Sequence, residues 1–232
     1  MGVVLITRPE PGATETAQRV AAMGLNPVVA PVLEVVGAGG EPLGLDRVAA
    51  TLLTSRNAVV PCPTFCHDRP VFTVGDATAA YAREIGFRDV RSASGNAVAL
   101  AALVAETLRP EAGPLFLPTG HQQGHELAKA LRQRGFRVLR RVVYWARPTA
   151  RLDDAARVHL QKRDVSAVLF FSGETARHFV RLLRTAQLVD SVDSVDAVAI
   201  SDRASVALKD LPWRRVCVAS KPNQEAMLAL LQ

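Results

Sequence analysis

The chain is poor in aromatic residues: they make up 5% of 232 residues, with only two tyrosines and two tryptophans. So few rings cannot build a stacking platform for single-stranded nucleic acid, and the basic residues are scattered rather than gathered on one helix. Nucleic acid is therefore not an expected partner. Cysteine is equally sparse. Cys62, Cys66 and Cys217 make no even set of bridges, and Cys62, Cys66 and His67 lack a second ligand cluster at zinc spacing. Free thiols in a reducing compartment, with no metal, are the expectation. No apolar run approaches the roughly 20 residues that cross a bilayer, and Met-Gly-Val-Val leads into a strand rather than a secretory leader. The expected setting is cytoplasmic, with no membrane partner. Lysine is nearly missing too: of 28 basic residues only Lys129, Lys162, Lys209 and Lys221 are lysine. Arginine grips carboxylates and phosphates bidentately, so a net charge of +6 keeps acidic small molecules in view. A GC-rich coding sequence would leave the same bias.

The familiar catalytic signatures are absent as well. No GxGxxG follows a strand, no GxxxxGK[ST] occurs, and there is no nucleophile elbow. The five histidines form no ligand motif. Covalent, redox and metal chemistry lose their usual carriers, and no cofactor is expected.

What is present is an alternation of strand-like and helical stretches, and it repeats. VVLITRP (3–9), an amphipathic stretch closed by Gly24, and PVVAPVLEVV (27–36) echo LFLPTG (115–120), HELAKALRQRG closed by Gly135, and RVLRRVVYWARP (137–148). LLTSRNAV (52–59) echoes VLFFSGETA (168–176), VFTVGDATAA (71–80) echoes AVAISDRASVA (197–207), and SGNAVALAALV (94–104) echoes SKPNQEAMLALL (220–231). Glycine after a helix suits the left-handed C′ position, and Asn96 and Asn223 stand where helix N-caps belong. Each half thus reads β-α-β followed by three more strands, which implies parallel, doubly wound α/β sheets. The stretch VPCPTFCHDRP (60–70) breaks the pattern, because three prolines deny it a regular helix.

In doubly wound sheets, functional groups gather on loops at the C-terminal ends of strands. Those loops here carry Thr7 and Arg8, Ser55 and Asn57, Thr78 just beyond Gly75 and Asp76, Ser94, Gly95 and Asn96, Thr119 and Gly120, Ser172, and Ser201. Small hydroxyl, amide and glycine residues at helix starts expose backbone N–H groups that suit anions. Helix capping is the plainer alternative for each of them.

Taken in order and spacing, TRPEPGA, LLTSRNAV, VFTVGDATAA, GNAVALAALV, LFLPTG, VVYWARP, VLFFSGETA and SKPNQEAMLALL resemble the uroporphyrinogen-III synthase family over essentially the whole chain. The resemblance implies two flavodoxin-like parallel-sheet domains that do not coincide with the sequence halves. One would comprise 1–35 and 147–232, the other 36–146, joined by a two-stranded connector made from the two long strands. Domain closure would be the expected motion.

The resemblance also implies a substrate and a reaction. The substrate would be hydroxymethylbilane, a linear tetrapyrrole polycarboxylate, closed into uroporphyrinogen III with ring D inverted and water lost. The bilane closes unaided to the isomer without inversion, so the catalyst must choose a conformation and help the hydroxyl leave. An azafulvene attacked at the substituted carbon of ring D gives a spiro intermediate that fragments and recloses. Tyr144 matches the family tyrosine of VY-x-x-x-P and is the expected proton donor in a cleft between the domains. A phenol with a pKa of about 10 stays protonated at neutral pH. A buried packing residue with a bonded hydroxyl is the alternative. Thr7, Arg8, Ser55, Asn57, Thr78, Ser94, Gly95, Asn96, Thr119, Gly120, Ser172 and Ser201 would hold the substrate, with no cofactor and no metal, in a monomer. Trp145 and Tyr81 read as packing residues. One motif departs from the family pattern: IGPxTA becomes ISDRAS, which brings Asp202 near an acidic ligand and puts Ala204 at the threonine position. The alternative function is a two-domain effector-binding protein for an acidic metabolite, without catalysis.

Overall fold

A computed structural model describes residues 2–39, 47–62 and 64–232. Met1–Glu34 and Arg147–Gln232 make one compact unit, and Val35–Ala146 make the second. Along the chain run β1 (Val3–Ile6), α1 (Gly12–Ala22), β2 (Asn26–Val29), β3 (Leu33–Gly37), β4 (Ala50–Leu53) and β5 (Val71–Thr73). Then come α2 (Asp76–Glu84), β6 (Val90–Ser92), α3 (Ala97–Thr107), β7 (Leu115–Gly120), α4 (His125–Gln133) and β8 (Val138–Pro148). Last are α5 (Asp154–Lys162), β9 (Val165–Phe170), α6 (Gly173–Thr185), β10 (Asp196–Ala199), α7 (Asp202–Ser205), β11 (Arg215–Val218) and α8 (Gln224–Leu228).

In the first unit the sheet order is β11-β10-β9-β1-β2; in the second it is β3-β8-β7-β4-β5-β6. The neighbours β2, β1, β9, β10 and β11 pair in parallel, as do β8, β7, β4, β5 and β6. Setting β3 aside, β8-β7-β4-β5-β6 repeats the winding β2-β1-β9-β10-β11, with its two portions in reversed chain order. Each repeat therefore gives its β-α-β segment to one unit and its three following strands to the other. This is the doubly wound, flavodoxin-like arrangement in both units.

The central strands are apolar runs because the middle of a parallel sheet is covered on both faces. β1, β4 and β10 are buried at every position. In the first unit, Val4, Ile6, Val20, Leu169, Val198 and Met227 belong to one core cluster. Among the described residues of the second unit, one cluster gathers around Phe72, Leu100, Leu115 and Leu131, and another around Leu53, Val71, Phe116 and Tyr144. Burying a side chain of this size contributes about 1.5–3 kcal/mol.

Two expectations are refined by the structure. PVVAPVLEVV is not one long strand. It breaks between β2 and β3 at Pro31, which has no N–H to give a ladder; Ala30 and Val32 on either side donate to the carbonyls of Ile6 and Thr7 at 3.0 and 3.2 Å. Its counterpart β8 runs unbroken for 11 residues. The proline-rich crossover from β4 to β5 contains two 3-10 turns, Arg56–Ala58 and Thr64–Asp68, in place of a helix. The two unit boundaries fall inside β3 and β8, which are neighbours in the six-stranded sheet.

Candidate functional site

Strand order tells which loops can cooperate. In the first unit, β1 leads away to β2 on one side while β9 leads to β10 on the other, so the switch point lies between β1 and β9. The loops there carry Thr7 and Arg8, and Phe171 and Ser172. In the second unit the same reasoning puts the switch point between β7 and β4, where Thr119 and Gly120 meet Ser55 and Asn57. Ser201, Thr78 at the start of α2, and the Ser94–Asn96 loop follow strands one or two places farther out.

At the first switch point Arg8 is built into a small polar knot. Its guanidinium lies 4.1 Å above the Phe171 ring, and Nη1 donates to Gln224 Oε1 at 3.0 Å and to Thr16 Oγ1 at 3.4 Å. Thr16 Oγ1 also donates to the Gly12 carbonyl at 2.8 Å. A Cβ on Gly12 would stand 2.4 Å from the guanidinium, so any larger residue there would displace the end of the Arg8 side chain. Gln224 Nε2 is buried with no hydrogen-bond partner among the described residues. Thr7 is fully buried and its hydroxyl donates to the Leu169 carbonyl at 2.7 Å, so that side chain ties two strands together and cannot reach a ligand in this conformation. Ser172 caps α6, accepting from Thr175 N at 3.1 Å, and Ser201 caps α7, accepting from Ala204 N at 3.4 Å. Ser205 donates back to the Asp202 carbonyl at 2.9 Å and does not replace the threonine missing from ISDRAS.

At the second switch point Ser55 accepts from Asn57 N at 3.2 Å and opens the 3-10 turn Arg56–Ala58. Thr119 is fully buried, and its hydroxyl has no hydrogen-bond partner among the described residues. Like Thr7, it sits on the inner face of a sheet end and presents nothing outward. Gly120 makes room for a ring: a Cβ there would stand 2.8 Å from Cε2 and Cζ of Tyr144.

Tyr144 itself lies on β8 at 2% exposure, among Val143, Phe116 and other buried residues of its own unit. Its hydroxyl donates to Gln123 Oε1 at 3.0 Å, and its carbonyl accepts from His121 N at 3.1 Å. The expectation of a phenol open to a cleft is corrected in this conformation. Alternation along β8 turns the ring onto Gly120, and the β7–α4 loop supplies its hydroxyl partner. Nothing in VVYWARP announces that partner; the amide-rich HQQG following LFLPTG is the available signal.

Farther along the edge, Asn96 caps α3 by accepting from Val98 N and Ala99 N at 2.9 and 3.2 Å. Gly95 packs closely beneath it, where a Cβ would stand 2.9 Å from that of Ala99. Ser94 adopts φ 46° and donates to Asp76 Oδ1 at 2.8 Å. Hydrogen bonds from Ser92 and then Ser94 hold the Asp76 carboxyl below the usual carboxylate range. Sequence reasoning alone does not mark Asp76 as a site residue. Thr78 is half-buried in the first turn of α2. Among the described α-helices α3 alone has no acidic residue in its first turn. Its first turn therefore carries no acidic side chain of its own, although the Asp76 carboxylate bonded to Ser94 lies just before it. Among the described residues no group of three or more histidine, cysteine or acidic side chains is placed to hold a metal ion. No helix among them is long and apolar enough to cross a membrane.

Comparison with known proteins adds to this geometry. A model of the family described as uroporphyrinogen-III synthase HemD matches residues 14–229. A solved structure of uroporphyrinogen-III synthetase from Helicobacter pylori 26695 is similar at 16% identity and a TM-score of 0.64, covering 100% of this chain and 98% of that one. A mutant uroporphyrinogen III synthase from the extremely thermophilic bacterium Thermus thermophilus is similar at 17% identity and a TM-score of 0.50, covering 100% and 97%. At such identities the two structures bear on the fold, and the family match bears on descent.

Proposed function

The chain belongs to the uroporphyrinogen-III synthase family, cyclising lyases that close hydroxymethylbilane, and from that premise we propose how its own residues carry out the reaction. The family match across residues 14–229 carries this reading. An effector-binding role without catalysis has no observation in its favour.

The substrate is a flexible polyanion whose spontaneous closure gives the wrong isomer, so the first task is to hold it coiled. Arg8, steadied by Gln224 and the Phe171 ring, supplies a forked donor for a carboxylate. The start of α3, with Ser94, Gly95 and Asn96 around it, offers a positive helix end to another. Ser55, Asn57, Thr78, Ser172 and Ser201 supply further polar contacts along the strand ends, and Thr119 and Gly120 shape the floor beneath Tyr144. Thr7 serves by fixing the loop that carries Arg8.

The second task is departure of water. Tyr144 donates its phenolic proton to the terminal hydroxyl of the bilane; the C–O bond breaks and the pyrrole nitrogen's electrons form the azafulvene. The substituted carbon of ring D attacks it, giving the spiro intermediate, and fragmentation and reclosure invert the ring. Carbon–carbon bonds are exchanged and one water leaves with no net redox change, so the sequence of steps needs neither metal nor cofactor. A monomer working in the cytoplasm, with no nucleic-acid or membrane partner, belongs to the same proposal.

The test is to supply hydroxymethylbilane and resolve the uroporphyrinogen isomers. Isomer III in excess over the buffer control supports the reading; an isomer mixture equal to that control removes it. Tyr144→Phe is expected to slow turnover while melting remains close to wild type, because the net contribution of one neutral hydrogen bond is about 1 kcal/mol.

A further inference from the structure

Gln123 belongs to the loop between β7 and α4, and its side-chain amide reaches the Tyr144 phenol. Gln123 is exposed, whereas Tyr144 beneath it is 2% exposed and has its hydroxyl proton engaged by Gln123 Oε1 at 3.0 Å. A proton so engaged, under a covered ring, is not available to a leaving hydroxyl. The loop is pinned at definite points: Gln123 N donates to the Gly120 carbonyl at 3.1 Å, Arg140 Nε donates to the Gln123 carbonyl at 2.7 Å, and His121 N donates to the Tyr144 carbonyl at 3.1 Å. On either side of Gln123 the backbone is left-handed, at φ 60° for Gln122 and 76° for Gly124. That region is uncommon for glutamine and ordinary for glycine, so these two flanking positions mark where the loop changes direction.

We infer that Gln123 is a positioning residue that holds Tyr144 in a resting state, and that displacement of its amide from the phenol, with the loop turning about Gln122 and Gly124, precedes proton donation. This rests on the proposal that Tyr144 is the acid. Gln123 is exposed and Tyr144 is not, so a polar substrate can compete for the glutamine side chain while the phenol stays covered. The device would suit an enzyme whose substrate closes to the wrong isomer when activated early: the acid is exposed only after the polyanion is in place. A neutral hydrogen bond of this kind shifts an equilibrium by a factor of roughly 2 to 12.

The experiment measures kcat and KM with hydroxymethylbilane for Gln123→Met, Gln123→Glu and Tyr144→Phe, and for each Gln123 variant combined with Tyr144→Phe. Gln123→Met removes the acceptor at similar length and is expected to raise kcat about 2- to 10-fold. Gln123→Glu grips the phenol with a charged acceptor and is expected to lower kcat by a similar factor. Both effects are expected to vanish when Tyr144 is phenylalanine, which a merely structural role for Gln123 would not produce. A fall in kcat for Gln123→Met, or equal effects of the Gln123 variants with and without the phenol, overturns the inference while leaving Tyr144 as the acid. Wild-type turnover in Tyr144→Phe alone removes the acid assignment itself, and the inference with it.

Discussion

Asp196 opens β10 at 5% exposure and receives two arginines at once. Arg214 donates from Nε and Nη2 to its two oxygens at 2.7 Å each, and Arg215 adds Nε to Oδ1 at 3.2 Å and Nη2 to Oδ2. The hydrogen bond from Arg214, joined by those from Arg215 and by both positive charges, lowers the Asp196 pKa from 3.8 to about 2 against the opposing effect of burial. A difference of about 1.8 pKa units at 1.36 kcal/mol each is about 2.4 kcal/mol. Both guanidinium groups are more than half exposed, at 53% and 62% of their side chains, so solvent and salt reduce this to about 2 kcal/mol or less. The folded value lies below the unfolded one, so the contribution is present above about pH 4 and is lost as the pH falls from about 4 toward 2. Asp196→Asn is therefore expected to destabilise the first unit by about 1–2 kcal/mol at about pH 7, with the gap from wild type closing near pH 2. Urea unfolding followed by fluorescence measures it. Trp213 reports on this unit, with its ring 5.9 Å from Phe170, and Trp145→Phe silences the other tryptophan. Parallel pH profiles for wild type and variant would refute the reasoning, since the carboxylate would then contribute nothing that titrates.

Three further outcomes can be checked. Gly120→Ala drives a methyl into the Tyr144 ring and is expected to cost about 1–3 kcal/mol in chemical unfolding and to lower turnover together with stability. Asn96→Ala removes the cap of α3 and is expected to cost about 1 kcal/mol, while Asn96→Ser or Asn96→Asp preserves most of the stability. Thiol titration in native buffer is expected to modify the partly exposed Cys217 first. Cys62, whose thiol is pushed up by its hydrogen bond with Cys66 and by burial, is expected to react only on unfolding.

How much of this is legible in the sequence varies with the range of the interaction involved. Asn96 and Asn223 read as helix caps from their place before apolar runs, and both accept backbone N–H groups there. The proline-rich 60–70 stretch reads as lacking a regular helix, and it turns through 3-10 segments. The site divides differently. Thr7, just past β1, and Thr119, next to last in β7, are the right residue type near the right strand ends, yet both are buried, because side-chain direction there depends on where the strand stops pairing. Gln123 and Gln224 carry no local signal because their partners, Tyr144 and Arg8, are 21 and 216 positions away.

Hydrogen-bond caps, proline breaks and apolar runs act over a few residues, so they are written locally and would survive in almost any fold with this strand order. The partition of the two repeats between two sheets depends on which apolar faces cover one another across the whole chain. The covering of Tyr144 and the grip of Gln224 on Arg8 arise the same way, from segments far apart in the chain that only packing makes neighbours.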